Sequence, residues 1–419
     1  MYEVYIINDG ITKLLHSDNV ISEKQGLKII DGKIVEGINT INSFSFSMLP
    51  NNPRFNELFS YTTKIYVIKI KDNRRVFYGR VVKPKVSMES DGSFSKTIEC
   101  EDRMGYLCDS LMDYLPEQYW NVKNTTYHED GSIDKRGVLE FVLSIHNKKQ
   151  PDEKKIFVGE VDIEDTDNVL YFGMQQHKNA FDTLKEKLIE HLGGELRLRE
   201  GTDGKLYLDY LKEAGEVKTT SIALKKNMQK LSKETDPTSF ITRLYPLGNK
   251  IKKTVEEKDG SITEIETDER ITCAEANDGI PYVDDEEGIR TYGIIEGYRI
   301  YDHVVYPRTL LNHARVTLAT NNKVKQKHVI TALDLSTIGL DIDSFEVGNY
   351  HPIKNSLVGV DDTLRIIKKT TNINQPETSQ LEIGDKYATL TELQLKRENS
   401  LKEEVNRTIE TVSNNAQYN

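Results

Sequence analysis

Nine histidines, three cysteines and 67 acidic residues are the raw material for chemistry in this chain of 419 residues. The histidines are His16, His128, His146, His177, His191, His303, His313, His328 and His351. None stands in the HExxH pattern that sets two imidazoles on one helix face around zinc, and none falls in a close His/Cys cluster. Glu190-His191 lies at the expected end of a helix, where a histidine commonly meets the carbonyl dipole. Cys100, Cys108 and Cys273 are odd in number and form no CxxC, which reads as free thiols of a chain folded in the cytoplasm. Cys108 stands with Leu107 and Leu111, the company of a small core residue rather than a nucleophile.

The remaining candidates have plain structural readings. Gly201-Thr-Asp-Gly-Lys205 has the composition of a phosphate loop, but it lacks the loop's spacing and joins two expected strands, so a hairpin turn is expected. Asp361-Asp362 and Asp284-Asp285 could flank a glycoside or a calcium ion, yet such pairs are common by chance in so acidic a chain, and the calcium-loop pattern is missing. No Gly-x-Ser-x-Gly occurs. Asn124-Thr-Thr126 is a glycosylation sequon by pattern only. No catalytic residue, metal ligand or cofactor-binding residue is therefore assigned, and no cofactor is expected.

Bulk properties narrow the classes. The net charge of -11 argues against a general nucleic-acid binder, although a weakly repelling wall would let a polyanion slide past without sticking. The start of the chain reads as a strand with no basic region, and no apolar run approaches ~18 residues, so neither a signal peptide nor a membrane span is expected. Tyrosine (21) outnumbers phenylalanine (12), which suits half-buried sheets and interfaces.

The elements that must position any site alternate between strand-rich and helical stretches. Residues 1–105 read as a first β-barrel, completed by strands near 218–235. Ser43-Phe-Ser-Phe-Ser-Met-Leu49 alternates as a half-buried strand should. Asp31-Gly32 and Asp91-Gly92 read as hairpin turns. Residues 106–217 read as an inserted α+β domain. Its helical spacings are Met104 to Leu111 and Val138 to Ile145, followed by a third helix capped by Asn179. A hairpin around Asp203-Gly204 follows. Residues 236–384 read as a second β-barrel with an α/β insert near 255–325; Pro307 opens a helix, and Val329–Leu335, Phe345–Gly348 and Thr363–Lys368 are expected strands. Residues 385–419 carry a capping box at Thr389 and a narrow apolar stripe, which reads as a C-terminal helix needing a partner. The fold class is multidomain α+β.

Several of these phrases, in this order, resemble the prophage tail (tail-endopeptidase-like) family. They are Phe44 to Leu49, Phe77-Tyr-Gly-Arg-Val81, Glu99 to Leu111, Arg243-Leu-Tyr-Pro-Leu-Gly248, Tyr306-Pro307, Phe345-Glu-Val-Gly348 and Leu381-Glu-Ile-Gly384. The resemblance implies a baseplate or tail-tip hub in which two similar barrels per subunit make a pseudo-sixfold ring from a homotrimer. The implied partners are a distal tail or tail tube protein on one side and a tip, fibre or lysin component on the other, with DNA passing through the lumen. The implied location is the distal tail tip of a virion made in the bacterial host cytoplasm. A tail-associated peptidoglycan hydrolase and a carbohydrate-binding host-recognition adhesin are the alternatives. The family name includes "endopeptidase", but no catalytic motif stands behind it here, and a non-enzymatic role is expected.

Overall fold

A computed structural model describes residues 2–18, 26–120, 126–127, 133–134, 137–163, 170–174, 178–189, 192–236, 240–256, 262–301, 304–321, 325–334, 344–357 and 360–384. The expected helix over 385–419 lies outside the described residues. The chain is mostly β, and it divides into two compact units: residues 1–232 with 328–384, and residues 233–327 grouped with 385–419.

Seven strands open the first unit: β1 (Tyr2–Asn8), β2 (Ile11–Ser17), β3 (Ile30–Gly37), β4 (Ser43–Met48), β5 (Lys64–Lys69), β6 (Arg74–Met88) and β7 (Phe94–Asp102). Their order in the sheet is β3-β4-β7-β6-β5-β1-β2. Period-two alternation drives them. In β4, Phe44, Phe46 and Met48 are buried while the serines between them are not. These side chains meet Val4, Ile6, Leu15, Ile65, Val67, Phe77 and Ile98 in one core. Gly79 in β6 lies so close to β7 that an added Cβ would stand 1.8 Å from the Glu101 carbonyl oxygen, so only glycine fits there.

β3 does not end the sheet. Its other edge pairs antiparallel with Val360–Asn372, from Gly37↔Lys368 to Lys33↔Asn372. Beyond that come Gln380–Gly384, Lys325–Ala332 and Met228–Asp236, so the strands expected for two barrels lie in one thirteen-stranded sheet. A second core, with Ile222, Ile330, Phe345, Ile353, Ile366 and Ile383, fills this far half.

Two expectations are corrected. Asp31-Gly32 is not a hairpin turn: β3 runs straight through it. Asp31 takes a positive φ of 53°, and the register with β4 slips between Ile30 and Lys33, which makes this a bulge. The Gly32 amide donates to Asn374 Oδ1, which holds the kink from outside. Phe345–Gly348 is not a strand but a turn into Tyr350–Asn355, with Gly348 at φ 95°. A carbonyl of residue 214 packs where a Gly348 Cβ would be, so the backbone is bent there rather than laddered.

The inserted segment carries the helix Gly137–Lys149 and a three-stranded sheet ordered Ile156–Val161, Leu206–Leu211, Glu195–Glu200. Asn179 caps the third helix by accepting from the Asp182 amide, and Gly193 closes that segment with its amide on Ile189.

The second unit holds a separate sheet with Arg243–Leu247 at its centre, Val283–Asp284 on one side and Glu296–Ile300 on the other. The helix Pro307–Asn321 lies on one face of it, through Leu244, Ala314 and Leu318. A long hairpin, Lys250–Glu256 with Ile262–Arg270, completes the unit. Residues 257–261 between its strands lie outside the described residues.

Candidate assembly site

The residues singled out for chemistry do not meet. Cys100 is buried on β7, and burial pushes its thiol well up. Cys108 is half-buried, and burial with nearby Asp182 pushes it up to about 11. Cys273 is also raised by burial, and its thiol donates to the Ile280 carbonyl. All three are thiols rather than thiolates at neutral pH, so none is an activated nucleophile. Gly201–Lys205 is the turn of the hairpin from Glu195 to Leu211. Asp203 accepts from the Lys205 amide, and Gly204 takes φ 76°. Asp284 is held by Arg243, and Asp361 and Asp362 lie exposed on the Val360–Asn372 strand. Among the described residues, no three His, Cys, Asp or Glu side chains gather as a metal site would require. His128, His177, His191, His303, Glu190 and Asn124 lie outside the described residues.

His16 and His146 are core residues. Burial lowers both below the ordinary histidine value. The His16 ring accepts the Ile29 amide, and His146 Nε2 lies 3.0 Å from the Lys154 carbonyl. His351, fully buried, donates from Nδ1 to the Thr220 carbonyl at 2.8 Å.

What the fold does bring together is two of the phrases that resemble the tail family, Phe77–Val81 and Glu99–Leu111. Arg80, from Phe77–Val81, is buried, and it meets two carboxylates from the Glu99–Leu111 phrase. Its guanidinium donates twice to Asp109, at 2.6 and 2.7 Å, and its Nε donates to Glu101 at 2.8 Å. Tyr61 and Tyr106 cover it at 4.8 and 5.1 Å. Burial works against the Arg80 charge, but the Asp109 and Glu101 hydrogen bonds outweigh it and hold the guanidinium above its ordinary value. Asp109 also accepts from Lys154 of the inserted segment, and its carboxyl is held low: burial opposes this, while Arg80 and Lys154 prevail. The 3-10 turn Arg103–Asp109 that carries Asp109 is capped by Asp102, which accepts from the Met104 amide.

A second junction ties the insert to the far half of the sheet. Arg365 is buried and makes a two-pronged pair with Glu195, while its Nε donates to the Gly348 carbonyl at 2.8 Å. Asn39, at positive φ after β3, adds a neutral clamp: its side chain donates to the Gly194 carbonyl and accepts the Leu196 amide. Forked guanidinium pairs of this kind fix direction as well as distance. The arrangement forms a mechanical clamp. It locks an insert onto a sheet at two points, and the partners of the second, Arg365 and Glu195, are 170 residues apart in sequence.

The outer face of β1, β5 and β6 carries a ladder of rings. Tyr5 stacks on Tyr66 at 5.1 Å, and Tyr66 meets Tyr78 edge-on at 6.0 Å. Arg75 and Arg103 lie against Tyr78 at 4.6 and 4.4 Å, and both reach Glu200 of the insert. Further along, the β6–β7 hairpin runs past the end of β4. Val86, Met88 and Phe94 continue the core-facing side of the hairpin there, yet all three are exposed. Together they form an exposed apolar arm.

Sequence reasoning found the phrases but not their meeting. Arg80 was visible only as part of Phe77–Val81, and nothing local names Asp109, 29 residues on, as its partner. Asp209 was missed altogether. It is fully buried and takes Arg197, Arg199 and the Glu160 amide. The one local signal was the two arginines at i and i+2 facing the aspartate across a hairpin.

A mostly β sheet joined to a clamped α+β insert defines the class: the fold of phage tail proteins. The chain is similar to the 43 kDa tail protein of prophage MuSo2 from Shewanella oneidensis, with a TM-score of 0.57 and 11% identity over 93% of this chain and 99% of that one. It is also similar to a tail protein from Neisseria meningitidis MC58, with a TM-score of 0.54 and 13% identity over 93% and 98%. Residues 216–394 match the family described as prophage endopeptidase tail, and the resemblance to the prophage tail family read from the sequence therefore holds. No curated protein matches the chain.

Proposed function

We propose that this chain is a structural component of a phage tail or tail-like particle, and that it forms a trimeric hub at the distal end. The observation that carries the reading is the likeness to tail proteins along nearly the whole length of both chains, together with the family match. The two cores of the shared sheet are the two barrel-like halves, and three copies would set six such halves around an axis. Closed rotational symmetry of this kind makes rings rather than filaments. The exposed Val86, Met88 and Phe94 arm and the Tyr5–Tyr66–Tyr78 ladder supply apolar and aromatic contact area of the type that interfaces use. One end of the ring receives the distal tail or tube protein, and the other holds a tip, fibre or lysin. The acidic chain lets DNA pass without specific binding. The role is one of assembly rather than peptide-bond cleavage.

Light scattering on the purified chain tests this. Three copies of the 48.0 kDa chain give about 144 kDa, and Val86→Asp with Met88→Asp should return that mass to a monomer. Gold-labelled antibody should decorate the tail tip of induced particles. Labelling along the shaft or on the head would overturn the hub reading.

A further inference from the structure

Between Tyr292 and Tyr306, seven large apolar or aromatic side chains are exposed: Tyr292, Ile294, Ile295, Tyr298, Ile300, Val305 and Tyr306. The centre of this stretch is the strand Glu296–Ile300, which pairs in parallel with Arg243–Leu247 and forms the edge of its sheet. Two hydrogen bonds bracket the pairing: the Arg243 amide donates to the Ile295 carbonyl, and the Tyr301 amide to the Leu247 carbonyl. Both bracketing residues are odd-numbered. In a parallel pair a residue sends its N–H and C=O to the same side, and successive residues alternate. Glu296, Tyr298 and Ile300 therefore point their amides and carbonyls outward. Among the described residues, no strand pairs with that side.

Natural edges are blunted by proline, charge or a bulge. This one has no proline and no bulge, its register with Arg243–Leu247 is unbroken, and its charges are Glu296 and Arg299. The side chains point the same way. One face of the sheet is covered by Pro307–Asn321. On the other, Arg243 holds Asp284 in a fork at 2.7 Å and lies 3.9 Å over the Tyr282 ring, and Tyr245 lies 5.3 Å from Tyr282. That inner part is finished, but Tyr298, beside Tyr245 in register, is 73% exposed. Arg299 is exposed, lies 5.8 Å from the Tyr301 ring, and pairs with no described carboxylate.

We propose that Glu296–Ile300 is a strand-addition site for an extended segment of a different polypeptide. That segment carries alternating apolar residues, which lie beside Tyr298 and Ile300, and a carboxylate that meets Arg299. Main-chain pairing supplies the affinity and the alternate side chains supply the choice. An antiparallel pair with a second copy of the same strand does not fit: directly opposed residues there share hydrogen-bonding parity, so Glu296 and Arg299 never face each other. A parallel self-pair would appear as a change of mass in the light-scattering test below. The proposal stands whether or not the chain forms a hub.

The full chain is panned against random twelve-residue peptides, and those enriched are measured by fluorescence anisotropy. The expected peptides alternate apolar residues with Asp or Glu. Tyr298→Pro removes the outward amide together with the ring, at a position where edge strands tolerate proline, and should weaken binding at least ~10-fold. Arg299→Glu should weaken acidic peptides by a similar factor and favour lysine-containing ones. Tyr298→Thr, which keeps the amide, should retain part of the binding. Hydrogen exchange at Glu296, Tyr298 and Ile300 should slow in the complex. The proposal is overturned if no peptide is enriched, if enriched peptides bind Tyr298→Pro as well as the parent, or if exchange slows elsewhere. It is also overturned if Tyr298→Pro changes the mass by light scattering, because the strand would then serve a second copy.

Discussion

The two compact units use arginine in opposite ways. In the first, Arg80 and Arg365 are buried, forked onto carboxylates, and joined to segments distant in sequence. In the second, Arg243 makes an equally well-shaped fork with Asp284, but at the open face of a small sheet. The geometry is alike; the cover is not. A partly exposed guanidinium gains less from its partner, whereas one enclosed with its partners is costly to strand. Cover, not ion-pair count, separates the two kinds of fork.

The comparison breaks first at the core. Phe44→Ala removes a fully buried ring packed 5.0 Å from Phe46 and 5.6 Å from Phe77. It should cost about 4 kcal/mol of the first unit's stability, read from its urea transition. Arg80→Ala comes next, at about 3 kcal/mol, since it leaves Asp109 and Glu101 without their buried cation. Arg243→Ala should move its own unit's transition by clearly less. Equal shifts would mean that cover is not what distinguishes the two forks.

Asp102 sharpens the contrast through pH. Burial is the main cause that pushes its carboxyl up to about 7, against the hydrogen bonds from Asn42 and Met104 that favour the charge. The folded chain thus holds a proton that the unfolded chain releases near pH 4. From this group, stability falls as pH rises from about 4 to about 7 and is level above that. Asp102→Asn keeps the cap and removes the charge. It should stabilise the chain by on the order of 1 kcal/mol at pH 7.5 and lose that advantage by pH 4, measured as a series of urea midpoints. An advantage independent of pH would show that the carboxyl is already neutral throughout or already solvated. The smallest effect belongs to the open edge: Tyr298→Thr should change stability by no more than ~0.5 kcal/mol.

Much of the local structure was legible from residue order. Alternation marked β4, the glycine turns marked Gly92 and Gly204, Asn179 marked a cap, and Pro307 marked a helix start, because each depends on neighbours within a few positions. Asp31-Gly32 shows where that stops. The same dipeptide serves a hairpin or a bulge; here Asn374 accepts the Gly32 amide and Ile373 packs against Gly32, contacts far along the chain that hold the bulge. Phe345–Gly348 looks like a strand by composition and is bent by the backbone packed against Gly348.

The sequence by itself determined the strand faces, the acidic surface and the order of the tail-family phrases, since these follow from side-chain type and short-range geometry. Only the tertiary structure decided that Arg80 lies between Asp109 and Glu101, that Arg365 reaches Glu195, and that one sheet runs through both cores. A charge buried by folding selects its partner by proximity in space, and the chain carries no local mark of which carboxylate that is.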